Sequence, residues 1–376
     1  MNAILPPAML GILGGGQLGR MFVVAAKTMG YRVTVLDPDS AAPAAAFADV
    51  HLCAPFSDAA ALATLARTCA AVTTEFENVD AEAMRQLARS VRVAPSGECV
   101  AIAQDRIAEK SWINRAGLAT AAYLALESEA DLNADLSAYL PGILKTARLG
   151  YDGKGQQRVL SADDARRAFV AMGSGACVLE KMLDLKLEIS VVVARTSSAQ
   201  IEVFPVSENQ HQDGILDLSI VPARLADSVA ESAQNMARKL AHALDYVGVM
   251  AVEFFVLEDD RLVINEIAPR PHNSGHYTLD ACVTDQFQQQ VRTLCALLPG
   301  DCRLLSPVVM ANILGDAWSD DGAQPHWDVL MEAPNTHLHL YGKSEARAGR
   351  KMGHFTVLAA SAEQALDQAM AIRDTL

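Results

Sequence analysis

The sequence predicts an α/β and α+β protein in three parts, and three observations carry that reading. Strand and helix patterns alternate from Met9 to about residue 100, as in a doubly wound parallel unit. A longer second stretch combines β-branched runs such as Glu188–Ala194 with a helix at 227–245, the pattern of antiparallel strands packed on helices. From about residue 301 a smaller, β-rich segment leads to one last helix. A chain of 376 residues is long for one domain, so units at 1–103, 104–300 and 301–376 around a shared cleft are expected.

Within the first unit the apolar strand Met9–Leu13 runs into Gly14-Gly15-Gly16-Gln17-Leu18-Gly19 and a helix to about Met29. The strand Arg32–Leu36 ends at Asp37. Helices at 58–70 and 80–90 flank the strand Ala71–Thr74, which ends at Glu75, and the alanine cluster at 41–46 reads as a loop. The second unit starts with a helix around Gln104–Ala116. It continues through the strand Gly142–Thr146, a glycine-punctuated loop, a helix at 162–172 and the strand Cys177–Lys181. Glu188–Ala194 and Gln200–Pro205 read as antiparallel strands; Asp259-Asp260 is the turn between Gly248–Leu257 and Arg261–Glu266. In the third unit the strands Pro307–Ile313 and His337–Tyr341 lead through Gly342–His354 to a helix from 361.

Bulk properties narrow the function. Hydrophobic residues make up 51% and charged residues 20%, enough for a core in a compact enzyme. A net charge of −14 argues against a nucleic-acid footprint, which needs a basic face, yet leaves room for phosphate ligands in a locally basic cleft. The seven cysteines are scattered with no C-x-x-C pair, which reads as reduced thiols in the cytoplasm. No apolar run approaches the roughly 18 residues needed to cross a bilayer, so neither a membrane span nor a secretion signal is expected.

Four clusters carry chemistry. Gly14–Gly19 matches G-x-G-x-x-G, with Asp37 about twenty residues on, and admits three readings: a dinucleotide site, a turn for close helix–sheet packing, or a cradle for one phosphate. Gly150-Tyr151-Asp152-Gly153-Lys154-Gly155-Gln156 has three glycines whose amides can reach phosphate oxygens, with Lys154 adding charge. It is not a Walker loop. Glu253 and Glu266, expected to end adjacent strands with side chains on one face and Asn265 beside the second, suit oxygen coordination of Mg²⁺. Glu253 lies in an apolar strand, where an unpaired carboxylate would be costly. Arg270, His272 and Asn273 follow, offering a planar fork and further hydrogen bonds to a carboxylate-like anion such as bicarbonate or carboxyphosphate. Together these clusters point to ATP used to activate a small anion.

At these residues the chain resembles the ATP-grasp superfamily and, within it, the N5-carboxyaminoimidazole ribonucleotide synthase family of purine biosynthesis. The resemblance runs in order through Gly14–Arg20, Thr74-Glu75-Phe76-Glu77-Asn78-Val79, Gln104-Asp105-Arg106, Lys145 with Gly150–Gln156, and Glu180–Leu183 with Glu188. It continues through Asn209–Gly214, Gly248–Glu253, Asn265–His276, Tyr341-Gly342-Lys343 and Gly349–His354. Leu149 stands where many members carry another glycine.

The resemblance implies a Rossmann-like pre-ATP-grasp domain, a central two-lobed ATP-grasp and a small C-terminal β-rich domain, assembled as a homodimer. ATP would lie between the lobes, with Arg106, Lys145 and the 150–156 loop on its phosphates. Glu180, Lys181, Met182 and Leu183 would meet adenine, Glu188 the ribose, and His211 would line the same site. Glu253 and Glu266 would hold Mg²⁺, with Asn265 adjacent. Arg270, His272 and Asn273 would receive bicarbonate. Aminoimidazole ribonucleotide would contact Gln17, Leu18 and Glu75 (rather than Glu77), with Lys343 and Arg350 on its 5′-phosphate. Asp152 is the implied proton acceptor, with Tyr151 positioning the ring and His272 as the alternative base. A sibling ATP-grasp ligase, such as a formate-dependent glycinamide ribonucleotide transformylase, is the near competitor; an NAD-dependent oxidoreductase built on the first hundred residues is the distant one.

Overall fold

The computed structural model describes residues 2–150, 155–319 and 323–376. The first sheet is parallel and holds β1 (Met9–Leu13), β2 (Arg32–Leu36), β3 (Val50–Leu52), β4 (Ala71–Thr74) and β5 (Arg92–Val93) in the order β3-β2-β1-β4-β5. Both of its faces are covered, so β1, β2 and β4 are almost continuously apolar and buried. β1 lies at the centre, where the strand order reverses; open α/β sheets bind ligands at the carboxyl end of such a point. The glycine turn leaves that end.

Two further sheets form the remaining body. β6 (Tyr123–Leu126), β7 (Gly142–Thr146), β8 (Gln156–Val159) and β9 (Cys177–Lys181) form an antiparallel sheet in the order β6-β9-β7-β8. The large sheet contains β10 (Leu185–Arg195), β11 (Ile201–Val203), β12 (Ser207–Gln212), β13 (Ile215–Val221), β14 (Gly248–Leu257), β15 (Leu262–Ala268), β16 (Val308–Leu314), β17 (Thr336–Leu340) and β18 (Lys351–Leu358). Its order is β15-β14-β10-β12-β13-β16-β18-β17, with β11 on β10. The β-rich C-terminal segment therefore continues the central sheet through the β13–β16 pairing.

Strand periodicity explains why this sheet presents a reactive face. Met250, Val252, Phe254 and Val256 of β14 and Ile189, Val191 and Val193 of β10 pack with the helix Asp227–Ala243 in one core. The alternate residues Val249, Ala251, Val192 and Ala194 fill a second core on the other face. Along that second face the sequence changes from apolar to polar at Ser190, Glu188 and Glu253, where core gives way to cleft. Ser190 is the Cα partner of Glu253. Helix Gln286–Leu294 packs back onto the N-terminal unit, with Phe287, Val291 and Leu294 sharing a core with Leu10, Phe22 and Val35.

Several boundaries differ from the sequence reading. The helix expected at Gln104–Ala116 runs over Arg106–Arg115, capped by Asp105, and a separate helix, Gly97–Ala103 capped by Ser96, precedes it. Gln200–Pro205 contributes only the three-residue β11. Glu253 sits in the middle of β14 rather than at its end, whereas Glu266 is near the end of β15.

Candidate active site

The glycine turn comes first. Gly14 has φ +101, a conformation natural to glycine, and a Cβ there would collide with the Glu75 side chain. Glu75 leaves the end of β4 and accepts the backbone N–H groups of Gly16 at 2.5 Å and Gly19 at 2.6 Å. Asp37 accepts the N–H of Gly15 at 2.7 Å. The protein's own carboxylates thus occupy the amides that would bind a pyrophosphate, so the dinucleotide reading of Gly14–Gly19 fails on geometry. Burial pushes the Glu75 carboxyl up, against the pull of the Gly19 and Gly16 amides. Gln17 and Leu18 form the first turn of the following helix, with Leu18 buried and Gln17 partly so.

On the opposite wall, Arg106 begins its helix with Nη1 2.8 Å from Glu266 Oε2. Lys145, near the end of β7, reaches Glu180 Oε2 at 3.0 Å. The other oxygen of Glu180 lies 3.1 Å from the Lys110 ammonium, a residue no motif singles out. Burial pulls Lys145 below its ordinary pKa, while Lys145 and Lys110 overcome burial to hold Glu180 low. Beyond Glu180, Lys181 is exposed and Met182 and Leu183 are half-buried. Glu188 Oε2 meets His211 Nδ1 at 3.2 Å, with burial raising the carboxyl and His211 opposing it. The hairpin joining β7 to β8 carries Gly150, Gly155 (φ +72) and Gln156, and Leu149 stands there at φ +62. Tyr151, Asp152, Gly153 and Lys154 lie outside the described residues.

Glu253 and Glu266 are Cα partners across β14 and β15, so their side chains share a face. Glu253 is not unpaired: its Oε1 is 3.0 Å from His272 Nε2. Burial works against the charge on Glu266, but Arg106 and Lys145 win and hold it at about 2. Among the described residues Asn265 Oδ1 is buried without a hydrogen-bond partner, and its carbonyl accepts Lys110 Nζ at 3.3 Å. Two carboxylates with an unsatisfied amide oxygen beside them fit a hard cation such as Mg²⁺, whose remaining positions water and phosphate oxygens ordinarily fill. Behind them Glu109 accepts the Ile267 N–H at 2.7 Å, its carboxyl pushed up to about 8 by burial and by Glu266.

Next to this pair, Arg270 donates from Nε to Glu77 and from Nη1 to the Pro271 carbonyl at 3.1 Å. Burial opposes both charges, yet the pairing raises Arg270 and depresses Glu77. Gln104 holds the Glu77 loop from below, donating to the Glu77 and Val79 carbonyls at 2.6 Å each. The His272 ring is fixed at both nitrogens, Nδ1 to Ser274 Oγ at 2.8 Å and Nε2 to Glu253. Gln286 grips its backbone, accepting the His272 N–H at 2.9 Å and donating to its carbonyl at 2.8 Å. Asn273 is 7% exposed, and among the described residues neither of its side-chain polar atoms has a hydrogen-bond partner. A cleft of about 80 Å³ brings the sequence-predicted Arg106, Gly150, Glu266, Arg270 and His272 to one place, with Glu77, which the sequence reading set aside for Glu75, also lining it.

The C-terminal residues approach from the N-terminal side. Arg20, three residues after Gln17, donates to the Leu340 carbonyl at 2.5 Å, and a Cβ on Gly342 would lie 3.0 Å from its Nη1. This contact brings the loop after β17, with Lys343, to the helix that starts at the glycine turn. Lys343 donates to the Lys351 carbonyl at 2.6 Å and lies 5.5 Å from the Tyr341 ring centroid. Arg350 donates to the Glu345 carbonyl at 2.8 Å, closing the 345–350 loop.

Residues 8–104, 111–287 and 308–368 match, in turn, the ribonucleotide synthetase preATP-grasp domain, the ATP-grasp domain and the phosphoribosylaminoimidazole carboxylase C-terminal domain. The N5-carboxyaminoimidazole ribonucleotide synthase of Brucella melitensis is 44% identical over 358 residues, spanning 94% of this chain and 97% of that protein. The chain belongs to the N5-carboxyaminoimidazole ribonucleotide synthase family. The family's Bacillus subtilis synthase is 43% identical over 356 residues, 94% of this chain and 92% of the relative. Among solved structures, the ADP complex of an N5-carboxyaminoimidazole ribonucleotide synthetase superposes with TM-score 0.92 at 42% identity, covering 99% of this chain and 98% of the other. The Aspergillus clavatus synthase in complex with ADP and 5-aminoimidazole ribonucleotide gives TM-score 0.90 at 34% identity, with 98% of each chain covered.

As a member of this synthase family the protein is an ATP-grasp ligase with the pre-ATP-grasp, ATP-grasp and C-terminal parts that the resemblance implies. Among the described residues no helix is long and apolar enough to cross a membrane. Lys110, Glu109 and the Glu77–Arg270 pair are the site features that sequence reasoning misses. A helix that places Arg106, Glu109 and Lys110 on adjoining faces is the one local signal that points to the first two.

Proposed function

We propose that this cleft carboxylates 5-aminoimidazole ribonucleotide to N5-carboxyaminoimidazole ribonucleotide, using ATP and bicarbonate through carboxyphosphate, in de novo purine biosynthesis. The observation that carries this reading is the pairing of Glu253 with Glu266 and with His272, and the meeting of Glu266, Arg270 and His272 along one cleft. An anion cradle beside carboxylates suited to a nucleotide's metal is what this reaction needs, and these contacts support it.

Bicarbonate is a poor electrophile and must be activated. Its oxygen attacks the γ-phosphorus of ATP, ADP leaves, and carboxyphosphate forms. Arg106, Lys145, Lys154 and the amides of Gly150, Gly153 and Gly155 offset the charge on the phosphoryl oxygens. Mg²⁺ held by Glu253 and Glu266 would add Lewis-acid neutralisation of the same oxygens. The 180–183 segment lies along adenine, Glu188 takes the ribose, and His211 and Gln156 border the nucleotide. Arg270 grips two bicarbonate oxygens and Asn273 meets the third, with the His272 ring bordering the anion. Glu77 orients that fork.

Carboxyphosphate then releases CO₂ and phosphate in a cleft closed to water, and the exocyclic amine attacks the carbon to give a carbamate. Both His272 nitrogens are engaged, whereas a general base needs a free lone pair facing the amine. We therefore assign the amine proton to Asp152, with Tyr151 against the ring. Gln17, Leu18 and Glu75 border the ribonucleotide, and Lys343 and Arg350 take its 5′-phosphate. An ionised carboxylate has about four lone-pair sites; the two amides on Glu75 leave capacity for a ribose hydroxyl. The small-molecule substrates, the unpaired thiols and the family resemblance support a cytoplasmic homodimer.

The test is ADP release from MgATP with bicarbonate or formate, each with and without aminoimidazole ribonucleotide. Turnover that needs bicarbonate and rises with the ribonucleotide is expected. Turnover with formate alone would transfer the site to the sibling transformylase reaction.

A further inference from the structure

The buried trio of Lys110, Glu180 and Lys145 sits among further carboxylates, with Glu109 facing Lys110 and Glu266 facing Lys145. Two ammoniums face one carboxylate, each on its own oxygen, at 3.1 and 3.0 Å. The two lysines are not equivalent. Lys110 is fully buried on the helix Arg106–Arg115 and also meets the Asn265 carbonyl at 3.3 Å, so it is built into the wall. Lys145 has a side chain 9% exposed and lies near the end of β7, where the 150–156 loop begins.

A nucleotide phosphate that pulls Lys145 toward the cleft draws that ammonium away from Glu180. Were Lys145 the sole counter-ion, its departure would strand a carboxylate that is 3% exposed, one of the costliest arrangements in a protein interior. Lys110 donates to the Asn265 carbonyl while its ammonium stays 3.1 Å from Glu180 Oε1, so it does not need to move.

We propose that Lys110 is a positioning residue for the nucleotide: it keeps Glu180 neutralised, so Lys145 is free to turn to the phosphates. This rests on the assignment of Lys145 to ATP. Lys110 itself touches no ligand. Its removal transfers Glu180 entirely to Lys145 and holds that ammonium back from the cleft.

Binding of ATP and of adenosine to the full-length enzyme, measured by calorimetry in four proteins, separates the possibilities. Lys110→Met should weaken ATP by about tenfold or more while adenosine, which lacks phosphates, changes by less than about twofold. Lys110→Met combined with Glu180→Gln should bind ATP within about threefold of Glu180→Gln alone, because no carboxylate remains to hold Lys145. A purely structural Lys110 would lower stability without this dependence on Glu180, and ATP affinity that is unchanged in Lys110→Met, or lost equally in the Glu180→Gln background, overturns the proposal. Should Lys110→Met fail to fold, the same substitution in the Glu180→Gln background decides: a change above about threefold in ATP affinity refutes it. A parent enzyme that binds no ATP would refute the nucleotide assignment instead.

Discussion

Replacing Glu77 by glutamine should separate anion activation from every other task of the cleft. The substitution keeps the shape and removes the charge that Arg270 faces. The side chains are 26% and 17% exposed, so the pair is largely withdrawn from water. Breaking a buried pair on one side costs about 3–5 kcal/mol. Here a quarter of Glu77 is solvated, and Glu75 and Glu253 still face Arg270, so about 2–3 kcal/mol of stability is the expected loss. Arg270 would then be held at Nε by a neutral amide oxygen in place of a carboxylate. Weakening one charge-assisted, bidentate contact by about 1.4–2.7 kcal/mol raises the bicarbonate KM roughly 10- to 100-fold. The KM for ATP should stay within about twofold, since the Arg106–Glu266 contact is untouched. ADP release against bicarbonate concentration, with urea unfolding in parallel, measures both effects. Glu75→Gln is the control: its partners are the Gly16 and Gly19 amides, so it should impair ribonucleotide binding and spare bicarbonate. An unchanged bicarbonate KM in Glu77→Gln would falsify the orienting role.

Other outcomes follow from the same geometry. Lys343→Ala and Arg350→Ala should each weaken aminoimidazole ribonucleotide by about tenfold and ATP by less than about twofold in binding titrations; equal losses for both ligands would remove the phosphate clamp. Glu266→Gln strips Arg106 of its partner and the proposed cation of a ligand, so MgATP affinity should fall at least about tenfold, with metal-free ADP less affected. His276 and His354 are fully buried with rings 4.7 Å apart, and burial first, then the neighbouring histidines, holds both well below the ordinary histidine range. Below about pH 6.5 the unfolded chain takes up these protons and the folded one does not, so stability falls with acidification by about 1 kcal/mol per pH unit for each. Urea midpoints between pH 7.5 and 5.5 should show that slope, and His354→Gln should lessen it; a flat profile in the parent would contradict it.

How much of this is legible in the sequence depends on the range of each interaction. Strands with apolar runs and glycine punctuation, such as Met9–Leu13 and Gly248–Leu257, are visible because burial on both faces leaves a local signature. The hairpin of β12 and β13 is not, because Asn209-Gln210-His211-Gln212 carries no apolar alternation; its fold follows from pairing with β10 and from Asp213 and Gly214 at positive φ. Types of site residue are legible for the same reason motifs are, since Arg270, His272 and Asn273 are adjacent in the chain. Their partners are not. Glu75 reaches back 59 residues to Gly16, and Glu77 pairs with Arg270 across 193. Lys110 reads as an ordinary helical lysine until β9 brings Glu180 beside it. The continuation of the central sheet into the C-terminal strands is likewise a matter of the β13–β16 edge, which no local pattern encodes.

The central claim is that the cleft activates bicarbonate by transferring phosphate to its oxygen. Turnover of MgATP and aminoimidazole ribonucleotide in ¹⁸O-labelled bicarbonate, followed by mass analysis of the inorganic phosphate, tests it directly. The account predicts one labelled oxygen in each phosphate released, because the attacking oxygen stays on phosphorus when carboxyphosphate breaks down. Phosphate that carries only unlabelled oxygen, at full turnover, would contradict it.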